Sequence, residues 1–103
     1  MPIYQAIQTL KQNAPLTLPQ AQAFVSSLDP KLQKQIIAAI YIGRDNLNAS
    51  TWGEDTLLSV DCIDHIPSSN YAQIIWEKND ALVSYLNSLE TCAANTNFNL
   101  NNL

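Results

Sequence analysis

Residues 28–54 read LDPKLQKQIIAAIYIGRDNLNASTWGE and carry the clearest structural signal in the chain. Asp29 and Pro30 indicate a helix start, because aspartate caps free amides and proline fits the first helical position. Apolar residues then cover most of the helix circumference, which predicts a buried, central helix over residues 31–42. Gly43 is typical of a helix stop, since glycine adopts the left-handed conformation that closes the last turn.

The second half of this stretch predicts a new helix. Residues 45–50 are polar and fit a loop. Thr51 and Glu54 have the spacing of a capping box, in which each side chain bonds the other residue's backbone amide. The apolar residues that follow predict a fourth helix ending near His65, before Pro67 breaks the chain. Trp52 would then be the first core residue of that helix and is expected to be buried.

The flanking segments also have helical periodicity. Residues 3–13 form a short amphipathic pattern that ends before a proline. Thr17 and Gln20 have capping-box spacing and predict a second helix, which stops at Asp29-Pro30. Residues 71–90 have an apolar stripe with helical periodicity, but Asn79-Asp80 could cap a new helix. The sequence therefore allows either one helix or two in this region.

The chain as a whole is predicted to be all-α. Alternating apolar and polar residues never persist, and no Asn-Gly or Asp-Gly hairpin turn is present. We therefore expect a compact bundle of about five short helices, with the central helix near residues 31–42. Residues 1–92 form the single helical domain in this prediction. The Asn-rich remainder, residues 93–103, lacks charge and periodicity and is predicted to be disordered.

Charge and composition exclude several classes of function. The 103 residues carry a net charge of −4 with only five basic residues, which are scattered. No basic stripe is available to neutralise a phosphate backbone or an anionic membrane, so neither nucleic acid nor a membrane is an expected partner. No apolar run is long enough to span a bilayer, and the N-terminus lacks a signal-peptide pattern. A cytoplasmic location with reduced cysteines is expected.

The central stretch also resembles a known group of proteins. The run AAIYIGRDNLNASTW, the Tyr71–Ile75 segment and the Tyr85-Leu86 pair are similar to an uncharacterised bacterial and phage family of small helical domains. In that family an apolar helix ends in Gly-Arg plus an acidic or glycine residue, and a tryptophan follows. The resemblance implies an all-helical domain without an established activity. Family members often carry a proline in the last helical region, where this chain has Asn79.

One short cluster could support chemistry. Asp61, Cys62 and His65 would share neighbouring positions on a helix. With Cys92 the cluster could form a Cys2His zinc site, or Cys62 and His65 could act as a nucleophile and its base. The plainer interpretation is that His65 lies at a helix end and Cys62 fills the core. We therefore assign no catalytic, cofactor-binding or metal-binding residue, and expect neither an enzyme nor a cofactor.

Arg44 and Asp45 form a candidate interaction turn. Arg44 could offer its planar guanidinium to a carboxylate or phosphate, or pair internally with Asp61 or Asp64. A helix end explains the same residues, because a cation is favourable beside the last carbonyls of a helix. Five of the nine acidic residues fall between residues 45 and 64 and could steer a basic partner, or could simply be solvated.

The last helical region offers a second candidate surface. Trp76 lies off the main apolar stripe together with Val83, so we expect it to be exposed or to lie in a dimer interface. The candidate interaction residues are therefore Arg44, Asp45, Asp61, Asp64 and Trp76. They favour a non-enzymatic protein–protein interaction module with an unidentified protein partner. A small acidic inhibitor (a toxin-immunity or phage anti-defence protein), a homodimer, and a metal- or thiol-dependent enzyme remain alternatives.

Overall fold

The structure, a computed structural model, describes residues 2–103 and is all-α, as predicted. Within these residues no strand is present, and five α-helices form a compact bundle: α1 (Ile3–Asn13), α2 (Leu18–Ser26), α3 (Pro30–Asp45), α4 (Tyr71–Glu77) and α5 (Leu82–Thr96). Short 3-10 turns lie at Val60–Ile63, Ser68–Asn70, Asn79–Ala81 and Leu100–Asn102. None of the described helices combines the length and apolar character that crossing a membrane requires.

The central position of α3 is confirmed. Its start is fixed by Asp29, whose Oδ1 accepts a hydrogen bond from the Leu32 amide at 2.8 Å. Ile36, Ile37 and Ile40 on this helix are at most 1% exposed. The helix packs against α1, α4 and most extensively α5. Its all-round apolar surface is therefore explained by neighbours on several sides.

The capping box at the start of α2 is also confirmed. The Gln20 amide donates to Thr17 Oγ1 at 3.2 Å, and the Thr17 amide donates to Gln20 Oε1 at 2.9 Å. These reciprocal bonds satisfy amides that have no partner within the helix. The helix then packs mainly against α4.

The question left open at Asn79-Asp80 is settled in favour of two helices. The chain breaks between α4 and α5 in the 3-10 turn Asn79–Ala81. The Asn79 side chain does not cap α5 but reaches the loop between α1 and α2. There the Leu16 amide donates to Asn79 Oδ1 at 2.9 Å, and Asn79 Nδ2 donates back to the Leu16 carbonyl. A side-chain amide thus replaces a backbone partner for a buried residue.

Gly43 does not end α3, which corrects the prediction made from its residue type. The helix continues to Asp45, and no glycine in residues 2–103 has a positive φ. Gly43 is buried against α5, and a β-carbon there would lie 2.7 Å from the carbonyl carbon of Tyr85. Glycine is therefore required by a close helix–helix approach and not by a left-handed turn.

The predicted fourth helix is absent from the described chain, which is the largest error in the prediction. Residues 46–59 contain no α-helix, and only the 3-10 turn Val60–Ile63 follows. Asn46 supplies the physical reason, since its Oδ1 accepts a hydrogen bond from the Gly53 amide at 2.8 Å. This bond across seven residues holds the chain in an irregular path, and Thr51 and Glu54 form no capping box in the part of the chain that the structure describes.

The structure also differs from the prediction that residues 93–103 are disordered. Helix α5 continues to Thr96 and ends in a Schellman motif. Asn97 there is left-handed with φ 55°, and the Phe98 amide donates to the Ala93 carbonyl at 2.9 Å. The α-helical domain therefore extends beyond the predicted boundary at residue 92.

Two leucines and one glutamine hold this C-terminal segment on the bundle. Leu100 is fully buried, and Leu103 is 8% exposed. Buried Gln35 of α3 donates through Nε2 to the backbone oxygens of Asn101 and Leu103, at 3.2 and 3.4 Å. The asparagine-rich composition conceals two buried leucines and a backbone that is bonded by Gln35, more than 60 residues earlier in the chain.

Candidate functional site

A cleft of about 470 Å³ lies at the C-terminal end of α3. Its walls are the last turns of that helix, residues 53–57, and the end of the 3-10 turn with the residues after it. This last wall consists of Cys62, Ile63, His65 and Ile66. The end of α3 and residues 53–57 each contribute charged side chains to the cleft. The third wall contributes His65. Of the five sequence-predicted interaction residues, the cleft brings together Arg44 and Asp45.

Asn46 builds the wall opposite α3. It is 4% exposed, and its Nδ2 donates to the Ile42 carbonyl at 2.9 Å, which anchors it to the helix. Its Oδ1 accepts from the Gly53 amide at 2.8 Å and from Thr56 Oγ1 at 3.3 Å. One buried amide side chain therefore holds residues 53–56 beside the helix end. All of its polar atoms are satisfied, as burial of an amide requires.

Arg44 pairs with its neighbour and not with the distant aspartates. Its Nε and Nη2 atoms donate to Asp45 Oδ1 at 3.2 and 3.1 Å, so the predicted pair with Asp61 or Asp64 is not formed. The guanidinium also lies 4.6 Å from the centroid of the Tyr41 ring. Both partners of the ion pair are well exposed, and such a pair contributes little to stability. Its effect is to orient Arg44 at the cleft.

The acidic residues divide into two groups around the cleft. Asp45, Glu54 and Asp55 line it. Asp61 and Asp64 lie outside the lining, in and just after the 3-10 turn Val60–Ile63. All five are exposed. Between residues 2 and 103 only Asp45 among them forms an ion pair, so the other four carboxylates are exposed without one.

Cys62 is a poor candidate nucleophile. It is half-buried in the cleft lining, and no hydrogen bond joins it to His65 within the described chain. Burial is the main factor that raises the pKa of the Cys62 thiol, and the charges of Asp45, Asp61 and Asp64 raise it further. A raised pKa keeps the thiol protonated at neutral pH, whereas a reactive cysteine needs a stabilised thiolate. The geometry therefore offers no support for thiol catalysis.

Cys92 lies elsewhere, on α5. Its Sγ donates a weak hydrogen bond to the Ala49 carbonyl at 3.6 Å, and burial raises the pKa of the thiol. Both cysteines are free. No group of three or more potential ligands among histidine, cysteine, aspartate and glutamate comes together anywhere in residues 2–103. The structure thus does not bring Cys62, His65 and Cys92 into one metal centre.

The two tryptophans have different environments. Trp52 is half-buried, whereas the sequence predicts full burial. It lies in the irregular segment and packs edge-on against Phe98, with 6.2 Å between ring centroids. Its Nε1 donates to Thr96 Oγ1 at 2.9 Å. Trp76 is 45% exposed and Val83 40%, which agrees with their position off the stripe. A role for Trp76 in binding stays a prediction.

Two features of the cleft are not predicted by the sequence patterns. Asn46 falls in the predicted polar loop, although an asparagine just after a helix is a common source of side-chain bonds to the backbone. Leu57 is one of the apolar residues that predict the fourth helix, but it is 53% exposed and lines the cleft. The exposure of Leu57 could not be predicted, because the apolar pattern that contains it indicates a helix that does not form.

Comparisons of the chain with protein-family models, with curated proteins and with solved structures found no match. The resemblance of residues 28–52 to an uncharacterised helical family therefore stays a prediction. What the protein binds must be inferred from the cleft, its charges and the exposed apolar side chains.

Proposed function

We propose that this protein is a non-enzymatic interaction module that binds a protein partner through an acidic surface. This acidic surface consists of the cleft, with Asp45, Glu54 and Asp55 in its lining, and of Asp61 and Asp64 outside the lining. The observation that carries the proposal is that all five carboxylates are exposed around one cleft and four have no ion pair within the described chain. Unpaired carboxylates on one side of a molecule attract and orient a partner of opposite charge.

The partner suited to this surface carries lysine or arginine side chains beside an apolar contact. Leu57 supplies the apolar element on the protein's side, since it is 53% exposed beside Glu54 and Asp55. Charged groups at the edge of an interface mainly set the association rate and the choice of partner, while desolvated apolar groups supply affinity. The low reactivity expected of Cys62 favours binding over thiol chemistry at the same cleft.

A charge-reversal pull-down tests the proposal. The protein is immobilised and used to capture partners from extracts of its native cells, in parallel with a D61K/D64K variant. The matched control is E77K/D80K, which reverses two exposed acidic residues beyond the acidic surface. We expect a partner that is retained by the wild type and the control and lost by D61K/D64K. Equal recovery with all three proteins would contradict the proposal.

The same experiment distinguishes the inhibitor alternative. If the captured partner binds nucleic acid, and nucleic acid competes with the protein for it, then the carboxylates imitate phosphates. The affinity should also fall as salt is added, since exposed charges are screened over roughly 8 Å at physiological ionic strength. A salt-independent affinity would point to Leu57 and the apolar contact as the main contributors.

Self-association through the α4–α5 region is a separate proposal. It is supported by the exposure of Trp76 and Val83, the former at the end of α4 and the latter at the start of α5. Size-exclusion chromatography with light scattering measures the mass directly. A dimer that becomes a monomer in W76A would support this interface, and a monomeric wild type at high concentration would rule it out.

A further inference from the structure

The segment between α3 and the 3-10 turn Val60–Ile63 is weakly attached to the bundle. We define residues 47–59 as the strap. From residue 47 to residue 62 no side chain is buried, whereas Asn46 and Ile63 on either side are 4% and 1% exposed. Within the strap, Trp52 and Leu58 are partly buried and pack against the core. A segment that buries little apolar surface has a low local stability and opens more readily than the core.

The hydrogen bonds of the strap also indicate that it is weakly attached to the bundle. Its backbone–backbone bonds are local, such as those from the Ala49 amide to Asn46 and from the Thr56 amide to Gly53. Its bonds to α5 each depend on a side chain: Asn48 amide to Ser88 Oγ (3.0 Å), Cys92 Sγ to Ala49 carbonyl (3.6 Å), Asn95 Nδ2 to Ser50 carbonyl (2.8 Å) and Trp52 Nε1 to Thr96 Oγ1 (2.9 Å). The bundle can lose these four bonds without losing any helical hydrogen bond.

The contacts on α5 lie along one face of that helix. Ser88, Cys92 and Thr96 are four residues apart, which places them in a row. The strap covers this row, and fully buried Cys92 lies in its middle. Separation of the strap would therefore uncover Cys92 without opening the interface between α3 and α5.

We infer that the strap detaches from α5 as a unit while the five helices stay folded, and that Trp52 is the contact that holds it closed. Trp52 combines a hydrogen bond to Thr96 with an edge-on contact to the Phe98 ring. It is the only strap residue in the described chain that makes both kinds of contact with the end of α5 and the residues after it.

Movement of the strap would change the cleft. Glu54, Asp55 and Leu57 belong to the strap and form one wall, while Tyr41 and Arg44 on α3 form the other. Asn46 ties Gly53 and Thr56 to the end of α3, so an opening that also breaks these two bonds separates the walls, and a closed strap brings them together. The effect on partner binding rests on the proposed function, but the opening itself is a property of the isolated protein and can be measured without a partner.

Thiol labelling under native conditions tests the opening. In a C62A background Cys92 is the only thiol. Its reaction with the disulfide reagent 5,5′-dithiobis(2-nitrobenzoate) is followed as a function of urea, beside the global unfolding curve. We expect labelling at low urea that is faster than global unfolding permits and nearly independent of urea, because opening the strap exposes little surface.

A pair of tryptophan variants identifies the contact that holds the strap. W52A should raise the labelling rate of Cys92 by about tenfold or more, since it removes a hydrogen bond and an aromatic contact together. W76A is the matched control, because Trp76 is outside the strap, and should leave the rate unchanged. Equal rates in W52A and W76A would overturn the role of Trp52.

Hydrogen exchange on the unaltered protein provides a second measurement. The Asn48 amide is bonded to the Ser88 side chain of α5 and should exchange with low protection, while amides in the middle of α3 and α5 stay highly protected. Labelling and exchange that both follow global unfolding would overturn the inference. A failed pull-down would leave this result intact, so the two proposals can fail independently.

Discussion

Gly43 of α3 lies directly against the backbone carbonyl of Tyr85 in α5. A β-carbon at position 43 would be 2.7 Å from the carbonyl carbon of Tyr85 and 3.4 Å from Cβ of Leu89. The two helices form the most extensive helix–helix interface in the described chain. Their close approach at this point sets the spacing on which the surrounding isoleucine and leucine side chains depend.

Gly43→Ala should therefore destabilise the protein. In an unrestrained helix interior this change would stabilise by about 1 kcal/mol through helix propensity. Here the new methyl group meets backbone atoms that cannot rotate away, so overpacking dominates and we expect a loss of about 2 kcal/mol or more. Urea unfolding followed by far-UV circular dichroism measures the difference in free energy of unfolding.

Gly53→Ala is the control for this substitution. The nearest atoms to a β-carbon at position 53 are 3.5 Å away, which is an ordinary contact distance. The free energy of unfolding should change by less than about 0.5 kcal/mol, as is usual for surface positions. If both alanine variants had the same stability, close approach would not be the reason for glycine at position 43.

Asn79 joins two loops that are far apart in sequence. Its side chain accepts a hydrogen bond from the Leu16 amide at 2.9 Å and donates to the carbonyl of the same residue. Leu16 is buried, with 5% exposure, so its backbone groups would be left without partners in Asn79→Ala. The free energy of unfolding should fall by at most about 1–3 kcal/mol for each backbone group that is left unsatisfied.

Two further variants sharpen the test at this position. Asn79→Asp keeps the acceptor for the Leu16 amide but cannot donate to the carbonyl, so its stability should lie between those of the wild type and Asn79→Ala. Asn70→Ala is the matched control, since Asn70 is exposed and makes no capping bond. A destabilisation of Asn70→Ala equal to that of Asn79→Ala would show that the bonds to Leu16 contribute nothing.

The parts of the fold that could be predicted depend on neighbours in sequence. Thr17 and Asp29 cap their helices through residues three positions later, and apolar periodicity reveals α3 directly. Such signals are local, so they are present in the sequence itself. The all-α class and the central position of α3 follow from them.

The errors arose where a residue outside the local motif determines the conformation. Thr51 and Glu54 have capping-box spacing, but the Gly53 amide between them bonds to Asn46, seven residues earlier, and no helix forms. The glycine at position 43 serves a contact with α5 that lies more than 40 residues away. Local propensity is overridden in both cases by tertiary contacts, which a single sequence does not display.

Asn46→Ala should disrupt the cleft and the strap together. The substitution removes three side-chain hydrogen bonds, with Ile42, Gly53 and Thr56. We expect a loss of about 1–3 kcal/mol, because a buried amide is replaced and its backbone partners are left to water. Hydrogen exchange at Gly53 should accelerate strongly, whereas exchange in the middle of α5 should rise only by the global change. Uniform acceleration across the chain would contradict a local role for Asn46.

Three side chains whose pKa is raised in the folded state predict a loss of stability in alkali. Burial is the main cause that raises the pKa of the Cys62 and Cys92 thiols, whose ordinary value is 9.0, and of the Tyr71 hydroxyl, whose ordinary value is 10.0. In each case the folded state holds its proton more tightly than the unfolded chain. Stability is therefore complete below the unfolded pKa and falls as pH rises from that value through the folded pKa.

Urea unfolding from neutral pH to above 10.0 measures this dependence, with the thiols contributing first and Tyr71 at higher pH. In C62A/C92A the decline that begins near pH 9.0 should be smaller than in the wild type, and adding Tyr71→Phe should flatten the remainder. The variants are compared by slope and not by absolute stability, because truncation of buried Cys92 also removes packing. An identical slope in the wild type and the triple variant would show that these groups do not control alkaline unfolding.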